Sequence, residues 1–506
     1  MNIIKRVMSA ALCIILVFCV LYTGKHQKEL EVQSVFGEGN SLVLWYTNEA
    51  MTDYLSAMAV SYHEKYGVRV IPRLQSGSDY LESVNQASLS QKDMPDLYII
   101  SNETLEKAYL CGLAGVVDEA GSSLLSEEFT DTARQAVTYH DQMVAYPYYF
   151  ETSALLYNKT YLTEMAKNQL MAQESDPDDG GGDDVALTEE TTESETETES
   201  ANLSEEEKIA AKVDSLIPKT FDGLLTFADE YDAPAAVESV FKWDVTDIFY
   251  NYFFIGNYMD IGGKNGDQKD EINIYNQDAI DAMKVYQNLN QFFSIDADDV
   301  AYDSVIQEFM DGKIVFTTAT TDIITKLEQA KKDGSFAFEY GLANVPDLND
   351  TLKSKSLSVT NTVVINGYSE QSEKANQFAR FLVFEEAASL HEKTGKMPAC
   401  GRMEQTDEET KENLQVFLDE YADSVPMPKM MTTSNFWLQL EITFAEVWNG
   451  AAPYETLKDL SDLIMTQVSG EPCSAEYIIE PETIQESSEY LDEEALKEAA
   501  KEETEE

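Results

Sequence analysis

Apolar runs of strand length alternate with helical patterns at the start of the part of the chain that can fold. Residues 42–46 form a continuous apolar run, and residues 52–66 carry apolar side chains at helical spacing before Gly67. Residues 68–72 and 95–100 form two further runs typical of strands. Because strands that alternate with helices usually pair in parallel, this order predicts an α/β fold with mostly parallel sheets covered by helices.

The length and the charge of the chain limit its architecture and its partners. A chain of 506 residues is too long for one hydrophobic core, so two or more lobes are expected. Its 93 acidic residues outnumber its 35 basic residues, and the formal net charge is −58. Such a field repels nucleic acid and anionic lipid, which excludes both as partners of the folded part.

The N-terminal residues 1–24 have the pattern of a signal sequence or a membrane anchor. Two cations, Lys5 and Arg6, precede an uncharged apolar run at residues 7–24. The length of this run lies between that of signal-peptide cores, ~7–15 residues, and that of membrane-spanning helices, ~17–25 residues. The positive flank predicts that the rest of the chain lies on the extracellular side of the cell membrane.

An uncleaved anchor fits this segment better than a lipoprotein. Lipid attachment would use Cys19, but the bulky Phe18 stands where a lipidation signal carries a small residue. No small-x-small cleavage site follows the apolar run. We therefore predict a membrane-anchored protein with a stalk at residues 29–40 before its first folded element.

Two segments have the composition of disordered chain. Residues 174–207 contain Asp-Asp-Gly-Gly-Gly-Asp-Asp and Thr-Thr-Glu-Ser-Glu-Thr-Glu-Thr-Glu-Ser, and residues 471–506 end in Lys-Glu-Glu-Thr-Glu-Glu. Such sequences cannot bury apolar surface and repel themselves, so we predict a disordered acidic insertion and a disordered acidic tail. A calcium site in the insertion is the alternative, but the alternating acids, central glycine and closing glutamate of a calcium loop are missing.

The sequence contains no recognisable catalytic or metal-binding motif. The four histidines, His26, His63, His140 and His391, are far apart, and the cysteines form no CxxC pair. Nucleophile elbows, phosphate loops, HExxH helices and dinucleotide fingerprints are missing. We therefore predict a protein that is not an enzyme and uses no cofactor or metal. A glycosidase whose two carboxylates lie far apart in sequence stays an alternative.

Nine short segments are informative because of their order along the chain. The most specific runs from Val144-Ala145-Tyr146-Pro147 through Glu151 to Leu156-Tyr157-Asn158-Lys159. The others are residues 42–46, 63–68, 94–98, 112–118, 217–221, 309–316, 375–382 and 436–437. Together the segments resemble the family 1 extracellular solute-binding proteins of ABC importers, the group that includes maltose-binding protein. The resemblance covers residues 41–468 apart from the acidic insertion.

The resemblance implies a two-lobed α/β fold of the periplasmic-binding-protein type 2 class. One lobe would contain residues 41–148 and 357–400, and the other residues 151–350 and 403–468, with the insertion in the second lobe. A solute binds in the cleft between such lobes and stabilises their closure about a hinge. The implied function is capture of a sugar or oligosaccharide for the permease subunits of an ABC importer, by a protein that acts as a monomer.

Candidate ligand-binding residues follow from strand ends and from the resemblance. Loops at the carboxyl ends of strands form the ligand crevice of open α/β sheets. The resemblance adds Glu151 as an acidic contact at the first crossover and Trp437 as an aromatic ring that stacks on sugar. Carboxylates and amides suit sugar hydroxyls, and aromatic faces suit the C–H surface of the ring. The full candidate set is Asn48, Glu49, Asn102, Glu103, Glu151, Tyr250, Tyr252, Thr321, Asp322 and Trp437.

The class of ligand stays open at the level of the sequence. Residues 317–322 read Thr-Thr-Ala-Thr-Thr-Asp where the family often carries an aromatic residue, so a maltose-like stacking platform is incomplete. A polyol, a polyamine or a small peptide is an alternative solute. A ligand-sensing subunit of a membrane receptor is an alternative role, and an extracellular glycosidase or adhesin is another.

Overall fold

The fold is described here from a computed structural model of the chain. The proposed anchor at residues 1–24 and the stalk at residues 29–40 lie outside the residues that the structure describes. Within the described ranges, no helix is long and apolar enough to cross a membrane. The described ranges are residues 41–175, 204–297, 299–404 and 408–478.

Strands and helices alternate along most of the described chain. The strands are β1 Ser41–Tyr46, β2 Arg69–Leu74, β3 Leu97–Ser101, β4 Thr138–Tyr139, β5 Gln142–Met143, β6 Tyr146–Glu151, β7 Ser153–Asn158, β8 Ser239–Phe241, β9 Asp260–Ile261, β10 Ile272–Asn273, β11 Ile314–Thr320, β12 Tyr340–Ala343, β13 Leu357–Ile365, β14 Met397–Pro398 and β15 Val425–Pro426. The α-helices are α1 Thr52–Tyr66, α2 Tyr80–Ser90, α3 Leu105–Leu110, α4 Glu119–Glu128, α5 Asp131–Val137, α6 Lys159–Ser175, α7 Glu205–Leu216, α8 Phe221–Glu230, α9 Ile248–Asn251, α10 Gln277–Phe293, α11 Tyr302–Met310, α12 Ile323–Asp333, α13 Ser372–Arg380, α14 Leu390–Thr394, α15 Glu408–Asp423, α16 Phe436–Trp448 and α17 Pro453–Ser469. Short 3₁₀ turns are Glu49–Met51, Asn102–Thr104, Tyr252–Phe254, Ala387–Ser389 and Met431–Thr433, and one π turn is Phe381–Glu385.

The larger sheet contains the predicted strand-helix-strand unit at the start of the folded chain. Its strand order is β14-β6-β13-β3-β1-β2, with β15 beside β13. β1 pairs in parallel with β2 and with β3, as the alternating pattern predicts. Leu42 and Leu44 on β1 and Leu55 and Tyr62 on α1 are fully buried in one hydrophobic core. The apolar side chains whose spacing predicts each element in the sequence are therefore the same ones that the element buries.

The smaller sheet has the strand order β12-β7-β11-β8. Its second hydrophobic core includes Phe316 of β11, Trp243 after β8 and Trp448 at the end of α16, all buried. The rings of Trp243 and Trp448 meet nearly perpendicularly with centroids 5.5 Å apart, and the indole of Trp448 donates to the carbonyl of Ile295 at 3.0 Å. Large aromatic side chains thus pack together with aliphatic ones in the core that holds the helices of this sheet in place.

The prediction of mostly parallel sheets is wrong, because the sheets are mixed. β13 runs antiparallel to β3 and β6, and β7 runs antiparallel to β11 and β12. β7 and β13 each begin at the connection between the two sheets and run away from it. The strands of the strand-helix-strand units run toward the connection. The segments that pass between the sheets therefore enter them in the opposite direction. The early alternating pattern carries no information on these later strands.

One residue separates the two sheets at the first connection. β6 ends at Glu151 in the larger sheet, and β7 begins at Ser153 in the smaller sheet. Thr152 lies between them, is fully buried, and donates its hydroxyl to the carbonyl of Leu357 at 2.8 Å. Leu357 begins β13, where the chain returns to the larger sheet. This hydrogen bond therefore links two of the segments that run between the sheets.

The carboxyl ends of parallel strands in both sheets point to this connection. In the larger sheet, Ser101 at the end of β3 lies level with Asn361 of β13, which in turn lies level with Tyr149 of β6. In the smaller sheet, Thr320 at the end of β11 lies level with Ser153 at the start of β7. Two strand edges of the kind that forms ligand crevices therefore meet at the first connection.

The two segments predicted to be disordered are partly ordered. Residues 204–207 start helix α7, where the Ser204 hydroxyl caps the Glu207 amide and the Glu207 carboxylate accepts from the Ser204 amide. Residues 471–478 lie against α17, with the Ala475 amide donating to Asp462 at 2.6 Å. Local capping and backbone hydrogen bonds stabilise these ends in spite of their acidic composition. Residues 176–203 and 479–506 lie outside the described part of the chain.

Candidate functional site

A cavity of about 410 Å³ lies at the carboxyl edge of the larger sheet. It is bordered by the loop after β1 at Asn48, the loop after β2 at Asp79, the first turn of α2 at Glu82, and the end of β3 at Ser101. Tyr149 of β6 also borders the cavity. We call this group the first wall. It presents amide, carboxylate, hydroxyl and phenol groups from three neighbouring strands and from β6 to one space.

Asn48 is held in position by the turn that follows β1. Its side-chain oxygen accepts from the Ala50 amide at 3.0 Å and caps the short helix Glu49–Met51. Burial raises the pKa of Tyr149 to about 12, and a hydrogen bond from Asn48 acts in the opposite direction. Asn48 and Tyr149 therefore contact each other across the first wall, and the phenol stays protonated at neutral pH.

The floor between the two sheets carries an ion pair. Glu151 accepts from the Lys396 ammonium at 2.9 Å, and that ammonium lies 5.7 Å from the ring centroid of Tyr149. Glu151 is half-buried, as expected for a group at the connection between the sheets. Lys396 is separated from it by 245 residues, so no local sequence pattern could have paired them. The ion pair gives the floor both a hydrogen-bond donor and an acceptor.

A second wall follows the carboxyl ends of β8 and β11. Asp244 comes after β8, and Asp322 comes after β11, where it accepts from the Thr320 hydroxyl at 2.5 Å. The rings of Tyr250 and Tyr302 stack in parallel with centroids 4.4 Å apart. The Tyr302 hydroxyl in turn bonds to Thr320, at 3.0 Å between the two oxygens. This wall therefore combines acidic groups with a stacked pair of phenol rings.

Trp437 lies in the first turn of α16, the helix that packs against α9 and its Tyr250, and we include it in the second wall. Its side chain is half-buried, and its ring lies 5.7 Å from that of Tyr252 and 5.0 Å from that of Phe436. Tyr252 is itself only 1% exposed, so it is a packing partner of the indole and not a surface for ligand. The structure therefore contradicts the prediction that Tyr252 contacts the ligand directly, because its ring packs in the core behind Trp437.

Two other candidates, Asn102 and Thr321, are buried. Asn102 is fully buried: its amide nitrogen donates to the Met427 carbonyl at 2.6 Å and its oxygen accepts from the Thr360 amide at 2.9 Å. Thr321 is 2% exposed. Since both hydrogen-bonding groups of Asn102 are satisfied within the protein, its side chain is structural, which contradicts the prediction that it binds ligand. For Thr321 only its burial is shown, so a contact with ligand stays a prediction.

Glu49 and Glu103 are exposed but do not border the cavity. Glu103 accepts from the Ser101 hydroxyl at 3.1 Å, so it acts on the wall through Ser101. Conversely, the choice of strand ends overlooked Asp79 and Glu82, which do border the cavity. The rule that selected residues after β1 and β3 would have found the loop after β2 as well. Within the described residues, no group of three or more His, Cys, Asp or Glu side chains is arranged to hold a metal ion.

We expect Asn102→Ala to lower the free energy of unfolding by about 2 kcal/mol. The change leaves a buried amide and a buried carbonyl without their partners, at a cost of ~1–3 kcal/mol for such a group. Chemical denaturation of the full chain measures this loss. Asn257→Ala is the matched control, because the exposed Asn257 also donates to backbone carbonyls, at 3.0 and 3.1 Å, but water can replace it. Equal stability of the two variants would contradict the structural role of Asn102.

Comparison with protein families gives a match over most of the folded chain. The profile of bacterial extracellular solute-binding proteins matches residues 57–417. The maltodextrin-binding protein of Bacillus subtilis is 22% identical over 251 residues, which is 47% of this chain and 58% of that protein. The aligned region thus spans little more than half of this relative's length.

Solved structures resemble the chain over nearly their whole length. The extracellular solute-binding protein of Staphylococcus aureus in complex with maltose has a TM-score of 0.65 at 17% identity, covering 86% of this chain and 99% of that one. The maltose-binding protein of Listeria monocytogenes in complex with maltose has a TM-score of 0.62 at 16% identity, covering 87% of this chain and 100% of that one. At these identities the likeness shows the fold, which is two-lobed and mixed α/β.

Proposed function

Because the chain belongs to the bacterial extracellular solute-binding proteins, we propose that it binds an oligosaccharide of the maltodextrin class between its two lobes. The observation that carries this proposal is the meeting of two polar strand edges at the Glu151–Ser153 connection, with Trp437 beside one of them. Hydroxyl groups suit the amide and carboxylate groups of the first wall, and the indole suits the C–H face of a sugar ring. The relatives that bind maltose and maltodextrin support the same class of ligand.

The proposed lobes follow the division of the sheets. Lobe 1 contains residues 41–148 and 357–400, and lobe 2 contains residues 151–350 and 403–468. The pairing of β15 with the start of β13 suggests that residues 425–426 belong to the hinge. Ligand contacts from both walls stabilise the closed arrangement relative to the open one, and this difference in affinity drives closure.

The proposed role is delivery of the bound saccharide to the permease subunits of an ABC importer. The protein acts on the extracellular side of the membrane as a monomer, held there by residues 1–24, and it performs no catalysis. Attachment to the membrane raises its concentration near the permease, which favours transfer of the ligand. Closure about the hinge supplies the shape difference that a permease can recognise.

A thermal-shift experiment on the full-length protein tests the class of ligand. Maltotetraose at ~100 times its dissociation constant is expected to add about 2.7 kcal/mol of stability and to raise the melting temperature. Mannitol, spermidine and a tripeptide serve as the comparison ligands. A rise in melting temperature with mannitol or the tripeptide, and none with maltotetraose, would contradict the saccharide assignment.

A further inference from the structure

Four carboxylates lie on or beside the second wall, at Asp244, Asp247, Asp322 and Glu441. Asp247 caps the short helix α9, Asp322 follows β11, and Glu441 lies one turn after Trp437 on α16. Asp244, which is 8% exposed, fixes the loop between β8 and α9 by accepting from the amide of Tyr302 at 3.0 Å. Three of these carboxylates, those of Asp247, Asp322 and Glu441, keep part of their surface accessible.

None of these carboxylates forms an ion pair within the described part of the chain. Burial raises the pKa of Glu441, and the charges of Asp247 and Asp244 raise it further. Burial also raises the pKa of Asp247, and Asp244 adds to the effect. The like charges of Asp247, Asp244 and Glu441 disfavour one another in this half-buried setting, and a cation beside them would offset that repulsion.

The stacked tyrosines add a second, independent feature that points to a ligand. Tyr250 is only 9% exposed, yet its hydroxyl has no hydrogen-bond partner among the described residues. Burial raises its pKa, and nearby acids that include Asp247 and Asp322 raise it further, so the hydroxyl lies among the carboxylates. Although most of the side chain is buried, the hydroxyl oxygen itself reaches the solvent, so water or a ligand can supply its hydrogen-bond partner.

We propose that the second wall is a subsite for an ammonium group, so that the preferred ligand is a saccharide carrying a protonated amine. This inference rests on the proposed binding of a saccharide between the lobes, and it ranks amino saccharides above neutral maltodextrins in affinity. Carboxylates of Asp322 and Glu441 accept from the ammonium, the phenol of Tyr250 accepts a further hydrogen bond, and the Tyr250–Tyr302 pair offers its aromatic surface to the charge. The hydroxyl groups of a neutral sugar can donate hydrogen bonds to these carboxylates, but only an ammonium also supplies a positive charge that offsets theirs.

The test compares two tetrasaccharides that differ at the amino group, which is free and protonated in one and acetylated and neutral in the other. A glucosamine tetrasaccharide and its N-acetylated counterpart are titrated into the full-length protein by calorimetry at about pH 6, where the amine is protonated. The amine form is expected to bind at least tenfold more tightly at low salt, and added salt is expected to reduce this preference. Maltotetraose and spermidine are titrated in parallel, as the neutral saccharide and the amine without a sugar.

Matched variants locate the preference on the second wall. Glu441→Gln and Asp322→Asn are expected to reduce the tenfold preference to about twofold or less, whereas Glu446→Gln, an exposed acid on the same helix, is expected to retain it. Equal affinities for the two tetrasaccharides, or a preference that neither wall variant reduces, overturn the inference. Binding of maltotetraose in that case leaves the proposed function intact. Binding of spermidine alone, with the same sensitivity to Glu441→Gln, supports the ammonium subsite and overturns the saccharide.

Discussion

Replacement of Trp437 with alanine is expected to weaken saccharide binding by about tenfold to a hundredfold, which is ~1.4–2.8 kcal/mol. The indole is half-buried at the first turn of α16, backed by Tyr252 at 5.7 Å between ring centroids. Because its inner side packs on Tyr252 and Phe436, the rigid ring is already held for a sugar to stack on it. The cost of ordering the side chain on binding is therefore small.

Calorimetry with maltotetraose and with the glucosamine tetrasaccharide measures this loss. Phe292→Ala is the matched control: Phe292 is an aromatic residue near the end of α10, 61% exposed, and apart from both walls. Thermal melting of both variants separates lost binding from lost folding. Unchanged affinity in a folded Trp437→Ala protein would contradict the proposal that a sugar stacks on this indole. Trp437 would then not replace the aromatic residue that is missing at residues 317–322.

A pH-dependent stability change is expected from Lys429, a lysine that is 1% exposed and lies near the proposed hinge at residues 425–426. Its ammonium donates to the Gln135 carbonyl at 2.8 Å and also to the Asn265 carbonyl. Burial lowers its pKa to about 7, and the nearby charge of Asp267 opposes this shift. Between about pH 7 and its ordinary value of 10.5, the unfolded chain therefore binds more protons than the folded chain.

The sign of the effect follows from that difference in bound protons. Stability rises with pH wherever the unfolded state holds more protons, so the penalty for burying the ammonium is full below about pH 7 and falls as the pH rises. At ~1.4 kcal/mol per pKa unit, the wild type is expected to gain about 3 kcal/mol relative to Lys429→Met between pH 7 and 9.5. Chemical denaturation across this range measures the difference. Parallel stability curves for the two proteins would show that Lys429 does not titrate in this window.

The sequence predicts the fold well where contacts are local or where the order of motifs is informative. The alternation at residues 42–100 predicts β1, β2, β3 and helix α1, because each element shows its buried face in its own spacing. The direction of β13 could not be predicted, since it depends on where the chain returns from the other sheet. The same limit applies to β15, whose partner Leu357 is far away in the chain.

The candidate site shows a similar division between local and distant information. Asn48, Glu151, Asp322 and Trp437 could be chosen from strand ends and from the family resemblance. Whether a chosen polar residue is free depends on distant partners, which is why Asn102 was misjudged: its amide is bound by residues that follow it by more than 250 positions. The Lys396–Glu151 ion pair could not be predicted either, because its two residues are 245 positions apart in the chain.

The central claim is that one ligand contacts both walls, and paired variants test it most directly. Asn48→Ala alters the first wall, and Trp437→Ala alters the second. Calorimetric titration of both full-length variants with the ligand that binds the wild type gives the decisive comparison. The account predicts that each variant weakens binding of the same ligand, while Phe292→Ala does not. A ligand whose affinity depends on only one of the two walls would contradict binding between the lobes.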